Sequence, residues 1–206
     1  MENLKKTGLI ILTFIFLSCD SWLGVSITDE ADIKKFHKEM IKLLGDKNLI
    51  NEVVLLSADR SLNIMGTALV TYSPSENSEQ KNITIDLSTW KILKEETIKT
   101  KSDYQKPTSI NDYDFSKIPD ICQQAINKTD SLGLEYAGIE QFIIRTPDNN
   151  TQAFEFILDG RLKNSSITSK GRYSGIYYHK VYFTIDKNDE WKIKVDEKIN
   201  TKRGGF

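Results

Sequence analysis

Apolar residues recur every three or four positions in two separate stretches of the chain, and this spacing predicts two amphipathic helices. The first helix is expected to begin after Thr28, a suitable N-cap, and to end at Gly45. Its apolar face comprises Ile33, Phe36, His37, Met40, Ile41 and Leu44. The second helix is expected to begin after Ser116 and to end at Gly133. Its apolar face comprises Ile118, Ile121, Cys122, Ala125, Ile126, Thr129 and Leu132.

Strand patterns follow each predicted helix. Apolar and polar residues alternate from Asn82 to Leu87, which predicts a half-buried strand, and Trp90–Thr97 is its predicted hairpin partner. Turn residues separate the other predicted strands, which are Glu52–Ala58, Leu62–Tyr72, Ile139–Thr146, Thr151–Leu158, Arg161–Thr168, Gly175–Asp186 and Trp191–Lys198. Asp59-Arg60-Ser61 and Asp159-Gly160 are predicted turns, and Gly66 is a predicted bulge.

The order of these elements predicts an α+β protein with two tandem helix-plus-antiparallel-sheet units, each of order α-β-β-β-β, whose strands could join into one continuous sheet. The first unit is placed at residues 28–98 and the second at 115–199. A polar linker is expected at 99–114, and a frayed tail at 200–206. Both units end on similar sequences, which indicates a tandem repeat. These are Ile83-Thr84-Ile85-Asp86 followed by Trp90-Lys91-Ile92, and Phe183-Thr184-Ile185-Asp186 followed by Trp191-Lys192-Ile193.

The N-terminal 18 residues have the organisation of a secretory signal peptide. Lys5 and Lys6 precede the apolar run Leu9–Leu17, and the small residue Ser18 follows it. This run is too short to cross a hydrocarbon core, which takes about 20 residues. The sequence therefore predicts export and removal of residues 1–18, with a tether at 19–27 before the first unit.

Leu17-Ser18-Cys19 resembles the lipobox of bacterial lipoproteins, in which a small residue precedes an invariant cysteine. The match departs at Phe16, where the family prefers an aliphatic residue. The resemblance implies cleavage by signal peptidase II after Ser18 and acylation of Cys19 with diacylglycerol and a further chain such as palmitate. The protein would then sit on the inner or outer membrane of a bacterial envelope, facing the periplasm or the cell surface. The alternative is an ordinary secretory signal with an incidental cysteine.

Composition narrows the class of protein. With 28 basic and 29 acidic residues, the chain lacks the basic excess that nucleic-acid binding requires. The only cysteines are Cys19 and Cys122, which excludes a disulfide framework and a four-cysteine metal site. Cys122 is expected to be a buried structural thiol. The two histidines, His37 and His179, have no metal-site spacing, so neither a metal nor a cofactor is expected.

Aromatic residues are densest near the C-terminal end of the chain. Alternation along a strand turns about half of such residues outward, where tyrosine can anchor a partner or stack on a sugar. The candidate binding surface comprises Tyr173, Tyr177, Tyr178 and Tyr182. No nucleophile elbow or glycine-rich phosphate loop is present, so no catalytic residue is assigned and a non-enzymatic protein is expected.

The order of helix and sheet also loosely resembles the PepSY-like and beta-lactamase-inhibitor-like α+β modules, which bind and inhibit proteins or assist envelope assembly. This resemblance implies an envelope lipoprotein that binds a protein or peptide through a sheet face or an exposed edge strand. A carbohydrate-binding accessory lipoprotein that uses outward aromatic rings is the second hypothesis. A hydrolase with unrecognised carboxylates is the third.

Overall fold

The protein is described here from a computed structural model, which covers residues 23–45, 49–74, 79–98, 107–145, 152–162, 168–170, 173–175, 177–186, 188–196 and 200–201. The predicted signal peptide and Cys19 lie outside these residues. The described helices are α1 (Glu30–Leu44), α2 (Ile118–Ser131) and two short 3₁₀ helices, Ile110–Asp112 and Phe115–Lys117.

The described strands are numbered along the chain. They are β1 (Val25–Ser26), β2 (Leu49–Asp59), β3 (Ile64–Ser73), β4 (Lys81–Asp86), β5 (Lys91–Thr97), β6 (Thr108–Ser109), β7 (Leu134–Arg145), β8 (Ala153–Leu162), β9 (Thr168–Lys170), β10 (Tyr173–Gly175), β11 (Tyr177–Ile185), β12 (Trp191–Val195) and β13 (Asn200–Thr201). β9 and β10 form a separate hairpin, and the other eleven strands form one sheet. Its main order is β12-β11-β8-β7-β2-β3-β4-β5, and all its pairs are antiparallel.

The prediction of two tandem helix-plus-sheet units is wrong. At the centre of the single sheet, β2 pairs with β7 from Glu52↔Arg145 to Leu56↔Gln141. One continuous hydrophobic core contains buried residues of α1, α2 and strands from both halves of the chain. In two separate units, β2 and β7 would each be a long edge strand with unpaired backbone N–H and C=O groups. Pairing β2 with β7 satisfies the hydrogen bonds of both strands.

Several boundaries differ from the sequence-based prediction because apolar residues near them join the core. The tether was predicted to extend to residue 27, but Val25–Ser26 forms β1 and pairs with β3, and Ile27 is fully buried. In the predicted linker, residues 107–114 contain β6 and a 3₁₀ helix, and Tyr113 is buried. In the predicted tail, Asn200–Thr201 forms β13 and pairs with β11.

The helices begin close to their predicted starts. The Asp29 carboxylate, rather than Thr28, caps α1 by accepting a hydrogen bond from the Asp32 backbone N–H at 2.9 Å. The predicted cap Ser116 lies in the second 3₁₀ helix, and α2 begins two residues later with Pro119 in its first turn. Proline is tolerated there because the first helical N–H groups have no intrahelical acceptor.

The part of the core between α2 and the sheet is built on aromatic rings. Phe156 of β8 stacks on Phe142 of β7 and on Phe183 of β11, with ring centroids 5.3 and 4.9 Å away. Trp191 closes this stack edge-on, 6.0 Å from Phe156. The Lys128 ammonium of α2 lies 4.9 Å from the centre of the Trp191 ring, so the helix also contacts β12 at the edge of the sheet.

Candidate binding surface on the open face of the sheet

The sheet has one covered face and one face without a helix in the described part of the chain. The apolar sides of α1 and α2 pack with one set of alternating strand residues, which includes Val53, Leu55, Phe142 and Phe156. Residues at the intervening positions point to the opposite side. We call this opposite side the open face.

Aliphatic side chains occupy the middle of the open face. Leu56 lies between Thr67 of β3 and Gln141 of β7, and Gln141 lies opposite Ile157. In the next row, Val54 lies between Leu69 and Ile143. We call the aliphatic members of these rows the apolar patch, defined as Val54, Leu56, Leu69, Ile143 and Ile157. Leu69 is 37% exposed, Leu56, Ile143 and Ile157 are half-buried, and Val54 is 9% exposed. The patch extends over four adjacent strands.

Two continuous apolar runs in the sequence indicate the apolar patch, although a search for alternating apolar and polar residues passes over them. The runs Val53-Val54-Leu55-Leu56 and Phe142-Ile143-Ile144 are continuously apolar, which is typical of strands covered on both faces. In this structure the helices cover only one of those faces. The second apolar side of these strands therefore faces outward and forms the patch.

The predicted tyrosines are only partly placed at this surface. Tyr182 is half-buried on the open face, opposite Ile157, and lines a cavity of about 240 Å³ with Thr184, Lys192, Ile193 and Lys194. Tyr178 lies four residues earlier on the same face of β11, about 13 Å away at the rise of a strand. Tyr173 and Tyr177 belong to β10 and β11, but their side chains lie outside the described part of the chain.

A group of four charged side chains borders the apolar patch at one end of the sheet. We call Arg60, Glu140, Asp159 and Lys180 the charged cluster. Arg60 donates to Asp159 Oδ2 through Nη1 at 2.6 Å and to Glu140 Oε1 through Nη2 at 3.0 Å. Lys180 Nζ also pairs with Glu140 and lies 3.8 Å from Asp159 Oδ1. The side chain of Asp159 is only 9% exposed, so its charge needs these partners.

The predicted turn at Asp159-Gly160 is wrong, and this error hid the charged cluster. β8 continues through both residues to Leu162, and Asp159 lies opposite Lys180 of β11. Gly160 serves close packing here, because a Cβ atom on it would lie 3.1 Å from Leu134 Cδ1. Phe154, Phe156 and Leu158 alternate up to Asp159, and this period could have favoured a continuing strand.

Beside the charged cluster lies a shallow cavity of about 720 Å³. It is lined by Ser57, Ala58, Asp59, Arg60, Ser61, Ala137, Asp159, Tyr178 and Lys180. The turn between β2 and β3 forms one wall, and this turn was predicted correctly at Asp59-Arg60-Ser61. Gly66 lies in the adjoining β-bulge, also as predicted. The cavity therefore joins the β2–β3 turn to β8 and β11.

Two contacts hold the β2–β3 turn against β7. The Tyr136 hydroxyl donates to the side-chain oxygen of Asn63, and burial raises the pKa of this tyrosine, so it stays protonated as a donor. Gly138 has a φ of +140° and lets the Arg60 backbone approach closely, since a Cβ atom there would lie 2.3 Å from the Arg60 carbonyl oxygen. The position of Arg60 therefore depends on β7.

The Asp59 carboxylate is suited to holding charge rather than to transferring protons. Hydrogen bonds from the Ser61 hydroxyl and from the Ser61 and Leu62 backbone N–H groups lower the pKa of Asp59. A general acid at neutral pH needs the opposite shift. Cys122 is fully buried, and burial raises the pKa of its thiol, as expected for a structural cysteine. His37 packs on Phe115, with its Nε2 atom 3.0 Å from the Ile110 carbonyl oxygen.

Asp59→Asn should lower the thermal unfolding midpoint at pH 7, and this difference from wild type should vanish in acid. Because the folded pKa is lowered, the stabilisation exists above the unfolded pKa, about 3.9, and is lost as pH falls through the folded pKa. Melting curves between pH 7 and pH 2.5 measure this, and Ser61→Ala should reproduce part of the loss at pH 7. A difference that stays constant or grows in acid would contradict the assigned hydrogen bonds.

A second ionic network borders the apolar patch on its other side. Arg145 lies 2.5 Å from Glu52 through Nε and 2.6 Å from Glu155 through Nη1. Burial of the guanidinium opposes its charge, but the hydrogen bond and the charge of Glu52 outweigh this and raise the pKa of Arg145. The apolar patch thus lies between two sets of paired charges.

The requirements of a metal site and of a membrane-spanning helix are not met among the described residues. No group of three or more metal-ligating side chains occurs among them. None of the helices in this part of the chain is both long and apolar enough to cross a membrane.

Comparison with known proteins identifies no family for this chain. No family model matches it, and no curated protein matches it. Its fold is similar to the crystal structure of a "putative lipoprotein" from Clostridium difficile 630, with 14% sequence identity and a TM-score of 0.42. The similarity covers 81% of this chain and 91% of that chain. At this level of identity and TM-score it carries no functional conclusion, so the function proposed below rests on the chain's own residues.

Proposed function

We propose that the protein is a bacterial envelope lipoprotein, anchored through acylated Cys19, that binds a protein partner on its open face. The lipobox-like Leu17-Ser18-Cys19 after a charged and apolar leader supports the anchor. Two or more acyl chains hold a protein stably on a bilayer without a membrane-spanning helix. The binding role is carried by the apolar patch.

The apolar patch has the arrangement of a protein-binding surface. Its aliphatic members lie on the adjacent strands β3, β2, β7 and β8, with Gln141 between Leu56 and Ile157. The paired charges of the charged cluster and of Arg145 border it. Protein interfaces combine an apolar centre with a polar rim in this way. An apolar patch on a stable protein, rimmed by polar groups, is typical of an interaction site.

The surface fits a protein better than a sugar or a hydrolysable substrate. A sugar ring stacks on neighbouring coplanar aromatic rings, whereas Tyr178 and Tyr182 are about 13 Å apart along β11. Hydrolysis by carboxylates needs one carboxyl with a raised pKa. In the cavity, Asp59 has a lowered pKa and Asp159 is paired with Arg60.

The open face is also a better binding site than the edge strands of the sheet. The outer strands β5 and β12 carry lysines that discourage pairing with another strand, including Lys94, Lys192 and Lys194. Lys94 also pairs with Glu96 at 2.7 Å. A partner is therefore expected to contact side chains of the open face rather than to add a strand.

Site-specific photocrosslinking in cells tests the proposed binding face. A photoreactive amino acid at Leu69 should form an adduct of defined mass with one envelope protein. The adduct should be lost when Ile157→Lys is added, because a charge would then lie in the apolar patch. Leu93→Lys is the matched control, since Leu93 is 64% exposed on edge strand β5, outside the patch. Adducts that survive Ile157→Lys, or that disappear equally with Leu93→Lys, would contradict binding through this face.

A further inference from the structure

We propose that one end of the sheet lies against the bilayer that holds the anchor, through three exposed leucines, so that the strands stand upright on the membrane. The inference rests on the proposed acylation of Cys19. It adds an orientation and a second contact, which the anchor alone does not specify. The observations that carry it are the length of chain after Cys19 and the distribution of exposed leucines.

The chain between the anchor and the fold is very short. Only Asp20, Ser21 and Trp22 separate Cys19 from Leu23, the first described residue. Four residue steps span at most about 14 Å, however they are arranged. β1 begins at Val25, so the start of the fold lies within about 21 Å of the acylated cysteine. The headgroup layer is itself about 5–8 Å thick, so the fold cannot move far from the membrane surface.

The pairing of β1 places the start of the fold near one end of the sheet, and β1 runs toward that end. Val25 pairs with Met65, and Ser26 pairs with Ile64, at the start of β3. The same end contains the β2–β3 turn, the start of β7, the end of β8 and the start of β11, because these strands alternate in direction. We call it the anchor end. By strand length, the opposite end is about 30 Å away, beyond the reach of the three connecting residues.

Exposed leucines are concentrated at the anchor end. They are Leu62 in the β2–β3 turn, 56% exposed; Leu132 after α2, 42% exposed; and Leu162 at the end of β8, 48% exposed. Leu23, 50% exposed, lies two residues before β1. The other exposed large hydrophobics are Leu69 on the open face and Ile92, Leu93 and Ile193 on edge strands. None of the exposed large hydrophobic residues lies in a described turn or loop at the opposite end of the sheet.

The leucines would act together with the lipid. Each is too small a contact to hold a protein on a membrane, but a covalent anchor keeps all of them at high effective concentration next to the bilayer. Leu62, Leu132 and Leu162 come from separate segments that converge at one end, so their insertion would set the tilt of the sheet. In this orientation the open face stands perpendicular to the membrane, with the charged cluster nearest the bilayer, and the apolar patch above it stays accessible to a partner.

Fluorescence quenching of the lipidated protein in vesicles of phosphatidylethanolamine and phosphatidylglycerol tests this orientation. Ser131→Cys and Glu79→Cys each place a thiol at an exposed position, the first beside Leu132 and the second just before β4 at the opposite end. The native Cys122 is fully buried, so a fluorophore can be attached selectively to the introduced cysteine. Nitroxide-labelled lipids should quench the Ser131→Cys probe several-fold more than the Glu79→Cys probe.

The combined variant Leu62→Ser, Leu132→Ser and Leu162→Ser should reduce quenching at Ser131→Cys while the protein stays in the membrane fraction. Leu93→Ser, on edge strand β5, is the control and should leave quenching unchanged. Equal quenching of the two probes, or quenching unaffected by the triple substitution, would overturn the orientation. Intact mass of the same sample separates this failure from that of the anchor, because a protein without acyl chains would refute the proposed lipidation itself.

Discussion

Phe156→Ala should lower the free energy of unfolding by about 3–5 kcal/mol, the usual cost of truncating a buried phenylalanine. Phe156 is 1% exposed and contacts Phe142, Phe183 and Trp191 within the aromatic stack. Removing its ring would leave a cavity beside Phe142, Phe183 and Trp191. Those strands cannot collapse into it easily, because β8 is fixed by pairing on both sides.

The form of the unfolding transition is as informative as its midpoint. Because one core contains both helices, Phe156→Ala and Phe36→Ala, in the other half of the chain, should each shift a single cooperative transition. Urea unfolding followed by circular dichroism and by tryptophan fluorescence measures this, with Leu93→Ala as an exposed control. Two separate transitions, with each substitution shifting only one, would contradict a shared core.

Gly138→Ala should destabilise the protein by about 3 kcal/mol, through backbone strain together with steric overlap. The φ of +140° is a conformation that side chains rarely adopt, and the new Cβ would lie 2.3 Å from the Arg60 carbonyl oxygen. Either the β2–β3 turn or β7 must move. Movement of the turn would displace Arg60 and weaken its ion pairs with Glu140 and Asp159.

Gly133→Ala is the matched control for this substitution. Gly133 also has a positive φ, +76°, but nothing lies within 4 Å of a Cβ built on it. It should therefore cost only about 1 kcal/mol, the strain of the left-handed conformation alone. Equal losses for the two alanine variants in denaturant unfolding would mean that the turn does not pack on Gly138 as described.

Local features of the fold could be predicted from the sequence, and long-range pairing could not. The helical period located α1 and α2, and alternation with turn residues located the β4–β5 and β11–β12 hairpins. The pairing of β2 with β7 joins residues about 90 positions apart, for which no local pattern exists. The similar hairpin sequences near Trp90 and Trp191 therefore suggested two separate units instead of one sheet.

The candidate site was harder to predict because it depends on what the helices leave uncovered. The tyrosines of β11 drew attention to an aromatic surface, whereas the apolar patch is aliphatic and lies on β2, β3, β7 and β8. Asp159 was assigned to a turn on its Asp-Gly dipeptide, although its charge is paired across the sheet with Arg60, 99 residues away. A turn preference is local, and the paired strands around Asp159 outweigh it.

The most direct test of the proposed role is the intact mass and membrane partition of the wild type and Cys19→Ala, expressed in bacteria. The lipoprotein account predicts that wild type begins at Cys19, carries the added mass of diacylglycerol and a further acyl chain, and sediments with membranes. It predicts that the Cys19→Ala variant carries no acyl chain and yields no processed, acylated protein in the membrane fraction. A wild-type protein that is unacylated and partitions like the variant would contradict the anchor, and with it the upright orientation on the bilayer.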